Sequence, residues 1–208
     1  KIATIYINND WGVDANKYFT EEARKLGAEI VAEEAFTPGE KDFTAILSKL
    51  KRLKPDLIYL PTFYADAAAI LNQAKRTRFN PVVLANSSLF SQKTIELGGE
   101  AVEGILIPAN YFSADPRPAA QEFTREYQAL YGTLPNQFAA LAYDAANLMV
   151  AALQKAGIED RAKVKDALVS LQGFQGATGS ISYASSHDPE KELVRITIKD
   201  GKWVVYQP

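Results

Sequence analysis

The sequence contains no cysteine and only one histidine among its 208 residues. Without cysteine the chain has no disulfide, no thiolate metal ligand and no thiol nucleophile. The single histidine, His187, lies in a polar stretch between two strand-like runs, which is typical of a solvated loop residue. One histidine cannot form a zinc cluster or a Cys–His pair. We therefore predict no metal site and no cofactor.

Charge of neither sign is in large excess, since 23 Lys and Arg oppose 25 Asp and Glu for a net charge of -2. No broad positive field is available to attract nucleic acid or an anionic membrane. Long hydrophobic runs are also absent. The most apolar stretch, residues 138–153, is shorter than a bilayer span and contains Asp144 and Asn147. It predicts a buried helix rather than a membrane segment.

Motifs that would carry catalysis are missing as well. No G-x-S-x-G turn is present to expose a serine nucleophile. The one glycine pair, Gly98-Gly99, is followed by Glu100 and Glu103, and acidic residues repel a phosphate. The pair is better explained as a helix C-cap. These absences indicate a protein that is not an enzyme.

Five β-rich runs recur through the first half of the chain, and each pair is separated by a helical pattern. The runs begin near residues 2, 28, 57, 81 and 104. Asp42 stands where the N-cap of the second helix, residues 43–53, is expected. Strict alternation at this spacing predicts an α/β fold, a doubly wound parallel sheet covered on both faces. The other predicted helices span residues 11–26, 65–76 and 91–97.

The pattern changes at Asn110, where a proline-containing linker begins. Helices are predicted at residues 119–131, 137–156 and 160–171, and strands at 179–184, 194–198 and 203–206. Asp200-Gly201 joins the last two strands as a hairpin turn. The first two of these helices have wide apolar faces, although the first half of the sheet already has its own helices. We therefore expect a partner sheet that lies outside this chain or is supplied by another one.

A candidate binding site remains at the carboxyl ends of the predicted strands, where doubly wound sheets bind ligands. The segments there are residues 8–12, 61–64 and 86–88, which mix aromatic with small polar side chains. Such a mixture is typical of small-molecule pockets. The alternative is that Trp11 and Phe63 only pack against the helix starts. The candidate ligand-binding residues are Asp10, Trp11, Phe63, Tyr64, Asn86 and Ser87.

Five segments, in order along the chain, carry a family resemblance: residues 5–12, 38–43, 55–59, 142–145 and 176–179. Together they resemble the leucine/isoleucine/valine-binding proteins, the type I periplasmic solute-binding proteins of branched-chain amino acid ABC transporters. The resemblance implies two α/β lobes, joined by three crossovers, that close on a ligand. The family's N-terminal segment, which builds the first-lobe sheet, is expected to be missing here.

The resemblance also implies a division of the chain and roles for particular residues. It assigns residues 1–109 to the second lobe, 110–192 to a crossover and returning first-lobe helices, and 193–208 to strands that cross back. Trp11 stands where the family has an aromatic residue, usually Tyr, that packs on the ligand. Phe63, beside Tyr64, matches a second aromatic. Ser87, flanked by Asn86, stands where the amino-acid binders have an acid that pairs with the ligand ammonium.

The serine at position 87 bears on the ligand. A neutral hydrogen bond contributes about 0.5–1.5 kcal/mol, whereas a buried charge that loses its partner costs about 3–5 kcal/mol. We therefore predict a ligand that is not an ordinary α-amino acid, such as a small carboxylate, an amide or an aromatic acid. A carboxylate at Asp10 or Asp66 would instead restore a partner for an ammonium.

The function predicted from these residues and this resemblance is capture of a small organic ligand by the extracytoplasmic component of an ABC importer. Such a protein is periplasmic or lipid-anchored, and its partner is a permease in the inner membrane. A ligand-sensing module of a signalling receptor or regulator with the same fold is the alternative, and a flavodoxin-like enzyme is the third. The apolar helix faces predict a homo-oligomer or a domain swap.

Overall fold

A computed structural model describes residues 1–157, 160–183 and 188–207 of the chain. Residue 187, the predicted loop histidine, lies outside these ranges. Within them, no helix has the length and apolar character needed to cross a membrane. The chain divides into two compact units. Unit 1 comprises Lys1–Pro108 together with the chain from Arg195 onward, and unit 2 comprises Ala109–Val194.

The elements follow one another in the predicted order, apart from two short strands that were not predicted. The strands are β1 (Ile2–Ile7), β2 (Ile30–Phe36), β3 (Leu57–Leu60), β4 (Val82–Ala85), β5 (Leu106–Ala109), β6 (Phe174–Gly176), β7 (Gly179–Tyr183), β8 (Pro189–Glu190), β9 (Val194–Lys199) and β10 (Lys202–Val205). The helices are α1 (Asp10–Lys25), α2 (Thr44–Leu53), α3 (Tyr64–Arg76), α4 (Gln92–Gly98), α5 (Pro118–Tyr131), α6 (Gln137–Ala156) and α7 (Arg161–Val169). Two 3₁₀ turns, Ser87–Leu89 and Gly99–Val102, flank α4.

Unit 1 contains a seven-stranded sheet in the order β10-β9-β5-β4-β3-β1-β2. The pairs β1–β2, β1–β3, β3–β4 and β4–β5 are parallel, which confirms the predicted α/β fold. The hairpin β9–β10 is antiparallel. Its turn residues Asp200 and Gly201 have φ of 52° and 67°, as a type I′ turn requires.

The two faces of this sheet are buried to different extents. Side chains on one face are fully buried, among them Ile58, Leu60 and Ile107. The connection from β1 to β2 moves across the sheet in one direction, and the connections from β2 to β3, β4 and β5 move in the other. Right-handed crossovers therefore place α1 on one face and α2, α3 and α4 on the other. On the α1 face, Phe19 stacks on Tyr59 with ring centroids 3.9 Å apart, but Val82 is 52% exposed. The predicted cover on both faces is thus complete on one face and partial on the other.

The start of α2 differs by one residue from the prediction. The helix begins at Thr44, and Phe43 occupies the N-cap without a side-chain hydrogen bond. Asp42 nevertheless caps the helix chemically, since its Oδ1 accepts a hydrogen bond from the Thr44 backbone N at 2.9 Å. Phe43 is buried, and its ring packs edge-on against Phe36 with centroids 5.3 Å apart.

Unit 2 packs α5, α6 and α7 with a small antiparallel sheet, β6-β7-β8. The predicted strand at residues 179–184 corresponds to β7, which pairs with β6 and β8. Strands β6 and β8 were not predicted, because at three and two residues they are too short for a periodic pattern. One buried hydrophobic cluster of unit 2 contains Tyr111, Ala120, Phe123, Ala140 and Ala177.

Helix α6 is apolar on both of its sides. One side is buried and includes Ala140, Leu148 and Ala152. The other leaves Phe138 64% exposed and Val150 50% exposed. The wide apolar face that the sequence predicts is therefore present and largely open to solvent.

Candidate functional site

The candidate site lies in unit 1, at the carboxyl ends of three adjacent strands. Because the sheet order is β4-β3-β1 at this point, the loops that follow these strands share one edge. The backbone N of Ile7 donates to the Pro61 carbonyl oxygen at 3.3 Å and so joins the end of β1 to the loop after β3. We call this edge, formed by residues 8–12, 61–66 and 86–88, the rim.

The start of α1 is held close to the end of β1. The Asn9 side chain accepts a hydrogen bond from the Gly12 backbone N at 2.7 Å and caps the helix. A Cβ atom at Gly12 would lie 2.0 Å from the Ile7 carbonyl oxygen, so only glycine permits this approach. The tight turn positions the adjacent residue, Trp11, at the rim.

Trp11 and Phe63 form an aromatic pair across the rim. Their ring centroids are 5.3 Å apart and the rings are inclined by 29°, a stacked arrangement. Trp11 is 40% exposed and Phe63 is 44% exposed, so each ring keeps a face open to solvent. Phe63 stands at the N-cap of α3, where its side chain makes no capping hydrogen bond. The structure thus brings together two of the predicted residues, from loops that are 52 residues apart in sequence.

The loop after β4 is braced by hydrogen bonds to the loop after β3. The Ser88 hydroxyl lies 2.6 Å from the Asn86 side-chain amide and 2.6 Å from the Thr62 carbonyl oxygen. The neighbours fit best when Asn86 Oδ1 faces Ser88 and Nδ2 faces the Thr62 carbonyl oxygen at 3.2 Å. The amide of Asn86 therefore supports the rim. Ser87, at the start of a 3₁₀ turn, is half-buried.

The remaining predicted residues stand at helix starts. Asp10 is the exposed first residue of α1, where the helix dipole favours a negative charge. Tyr64 is the first residue of α3 and is 38% exposed. Two residues further, Asp66 is half-buried, and its Oδ2 accepts a long 3.4 Å hydrogen bond from the buried Thr62 hydroxyl.

Thr62 and Ser88 are rim residues that the sequence analysis did not single out. Both act through other residues: Thr62 joins Asp66, Asn86 and Ser88, and no local pattern in the sequence marks such contacts. The rim segments contain two carboxylates and no lysine or arginine. Among the described residues, no group of three or more His, Cys, Asp or Glu is arranged to hold a metal ion.

Known proteins resemble this chain over most of its length. The family model of the periplasmic binding proteins matches residues 1–202. Leu/Ile/Val-binding protein homolog 1 of Brucella suis is 27% identical over 192 residues, which is 91% of this chain and 51% of that protein. The chain therefore belongs to the periplasmic binding protein family.

Solved structures agree with this assignment. A leucine-binding protein from Thermotoga maritima is 31% identical with a TM-score of 0.90, over 99% of this chain and 59% of that one. A branched-chain amino acid transporter substrate-binding protein from Streptococcus pneumoniae, solved with isoleucine, is 28% identical with a TM-score of 0.80, over 100% and 60%. A solute-binding protein from Rhodopseudomonas palustris, solved with benzoate, shares the fold at 21% identity with a TM-score of 0.82, over 98% and 57%.

The matches leave a large part of each relative uncovered. The chain spans about half the length of the curated relatives, 51% for the Brucella suis protein. The resemblance that the sequence suggested is thus confirmed for the family and the fold.

Proposed function

We propose that this chain is the ligand-binding part of an extracytoplasmic solute-binding protein of an ABC importer. It binds without chemical conversion, and its partner is a permease in the inner membrane. The Trp11–Phe63 pair carries this proposal, because it presents open aromatic faces at the strand ends where ligands of such sheets bind. Ligand binding favours the closed conformation, and the permease binds that conformation.

The division of the chain into lobes is part of the proposal. Residues 1–109 and the strands from residue 193 onward form the second lobe, and residues 110–192 supply a crossover and the helices of the first lobe. The open apolar side of α6, with Phe138 64% exposed, supports this reading, since a helix apolar on both sides normally packs on two neighbours.

A copy of the same chain is the occupant we propose for that open side when this chain is studied alone. Light scattering is expected to give a dimer or a larger assembly, and Phe138→Ser is expected to shift it towards the monomer. Tyr18→Ser, which removes an aromatic side chain of similar exposure in unit 1, is the control. A monomer at all concentrations argues against the proposal.

For the ligand, we propose a small organic acid or amide that lacks an α-ammonium group. Ser87, Asn86 and Ser88 offer only neutral hydrogen bonds, and Asn86 and Ser88 already use theirs within the rim. Neutral partners contribute too little to replace the lost hydration of an ammonium. The fold itself does not decide the ligand, since one related structure holds isoleucine and another holds benzoate.

Calorimetry with matched ligand pairs tests this proposal. Leucine and 4-methylpentanoate share a side chain and a carboxylate and differ only in the ammonium group, while benzoate and benzamide separate an acid from an amide. We expect measurable heats only for ligands without the ammonium. Micromolar binding of leucine contradicts this ligand class.

Two variants separate the alternatives within the same experiment. Ser87→Glu supplies the missing charge and is expected to introduce amino acid binding. If leucine binds the native chain, Asp66→Asn and Asp10→Asn test which of the two carboxylates is its partner, with Asp14→Asn, an exposed position outside the rim, as the control.

A further inference from the structure

A buried carboxylate in unit 2 holds the turn between β6 and β7. Asp144, in α6, is 2% exposed. Its Oδ1 accepts a hydrogen bond from the Ala177 backbone N at 2.7 Å, and its Oδ2 accepts from the Thr178 backbone N at 2.8 Å and the Thr178 hydroxyl at 2.6 Å. The turn closes tightly over the carboxylate, since a Cβ at Gly176 would lie 2.6 Å from it. Three donors thus satisfy the charge without solvent.

The Thr178 hydroxyl extends this contact to the end of unit 2. It donates to Asp144 and accepts a hydrogen bond from Lys191 Nζ at 2.8 Å. Burial lowers the pKa of the half-buried Lys191, while the charge of Asp144 opposes that shift. Only Glu192 and Leu193 separate Lys191 from the start of β9. The segment by which the chain leaves unit 2 is therefore tied to the same turn.

The segment by which the chain enters unit 2 reaches this turn from the other side. A Cβ at Gly179 would lie 2.0 Å from Arg117 Nη1, so the guanidinium lies directly against the turn. Arg117 is fixed by the buried Asp115, whose two carboxylate oxygens each lie 2.9 Å from Arg117 Nε. Tyr111, six residues earlier, is buried, and its hydroxyl lies 2.5 Å from the Thr124 hydroxyl.

We infer that the turn between β6 and β7, held by Asp144, is a common anchor for both chain connections of unit 2. The chain enters this unit at Ala109 and leaves it at Val194. Tyr111 and Arg117 fix the entering segment, and Lys191 fixes the leaving one. The backbone that can bend between the units is thereby confined to two short stretches, Ala109-Asn110 and Glu192-Leu193. Asp144, Thr178, Arg117 and Lys191 are positioning residues, and their role in ligand-driven closure rests on the proposed function.

Polar anchoring is well suited to this task, because a buried hydrogen-bonded network admits one geometry, whereas apolar contacts admit several. Both connections then keep the same attachment point whichever conformation the units adopt.

Hydrogen exchange of the ligand-free chain, read by mass spectrometry, tests the anchor. Thr178→Val keeps the shape of the side chain and both backbone bonds to Asp144 but removes the link to Lys191. Losing a hydrogen bond to a charged group is expected to speed exchange of the amides of residues 190–194 by about tenfold or more. Residues 111–117 are expected to exchange as before, because Arg117 contacts the backbone of the turn.

Two further variants keep the test decisive. Lys191→Met is expected to match Thr178→Val, and Arg117→Met is expected to speed exchange in residues 111–117 instead. Lys155→Met is the control, since it removes an exposed hydrogen bond to Ser170 in the same unit and is expected to change neither segment. If Thr178→Val and Lys191→Met both leave residues 190–194 within about twofold of the native rate, the anchor is disproved. The measurement uses no ligand, so failure of the proposed ligand class leaves its outcome unaffected.

Discussion

The described residues of unit 1 bury no carboxylate, whereas unit 2 buries two, Asp115 and Asp144. Unit 1 is ordered by apolar strands that alternate between a buried and a partly open face. Unit 2 has a smaller apolar core and fixes its loops through charged side chains. The difference shows that a small unit with open helix faces obtains a defined geometry from buried hydrogen bonds, while a larger sheet obtains it from side-chain packing.

The substitution Asp144→Ala is the strongest test of this difference between the two units. The substitution leaves two buried backbone N–H groups and the Thr178 hydroxyl without their acceptor, and we expect a loss of about 3–5 kcal/mol in the free energy of unfolding of unit 2. Native-state hydrogen exchange, read separately in α6 and α3, measures the two units independently. Asp166→Ala, an exposed carboxylate in the same unit, is the control. A loss of less than about 1 kcal/mol contradicts the view that unit 2 depends on this carboxylate.

The matching change in unit 1 is Gly12→Ala. Because the new Cβ would lie 2.0 Å from the Ile7 carbonyl oxygen, α1 must move away from β1. We expect a loss of about 1–3 kcal/mol in the free energy of unfolding, together with weaker stacking of Trp11 on Phe63. Urea denaturation measures the loss, and Val13→Ala at an exposed neighbouring position provides the reference. An unchanged stability shows that the rim tolerates a shifted helix.

The pH dependence of unit 2 follows from Asp115. Burial raises the pKa of this carboxyl, but hydrogen bonds from Arg117 outweigh burial and hold the pKa below its ordinary value. A lowered native pKa means that the contribution to stability is present at neutral pH and is lost as the pH falls through that value.

Comparing the native chain with Asp115→Asn is therefore expected to give a difference in unfolding free energy that is largest near neutral pH. The difference shrinks below about pH 4. Asp160→Asn, which changes an exposed cap on α7, controls for acid effects in general. A difference that does not vary with pH shows that the Arg117 contact is not what Asp115 contributes.

The smallest expected effect on folding belongs to the aromatic pair. Trp11→Ala and Phe63→Ala are each expected to cost about 0.5–1.5 kcal/mol of stability, because both rings are well exposed. Their effect on ligand affinity is expected to be larger. A double-mutant cycle on unfolding and on binding separates the two roles. If the coupling energy between Trp11 and Phe63 appears only in the unfolding cycle, the pair packs against the helix starts and does not bind the ligand.

The parts of the molecule that could be predicted from sequence are those with a repeating pattern. The alternation of strands such as β3 and the 3.6-residue spacing of helices such as α6 depend on local burial, and their order implied the sheet. Asp200-Gly201 was predictable because few residue pairs adopt two positive φ angles.

The remaining features depend on contacts between distant residues. Asp144 and Thr178 are 34 positions apart, and nothing near either residue indicates that they meet. The sequence predicted that Trp11 and Phe63 lie at the same edge of the sheet, but it did not predict that their rings stack. The use of the Asn86 amide within the rim, rather than as a free donor to a ligand, follows from Thr62 and Ser88, which no motif singled out.

Both tryptophans of the chain lie in unit 1, in contrasting surroundings. Trp203 donates its indole N–H to the Ser91 carbonyl oxygen at 3.2 Å and meets the Phe90 ring edge-on at 5.4 Å, whereas Trp11 is 40% exposed at the rim. Selectively excited tryptophan fluorescence of this chain therefore reports on unit 1 alone. Its emission divides into a shielded component, which serves as an internal reference, and a solvent-sensitive component at the rim.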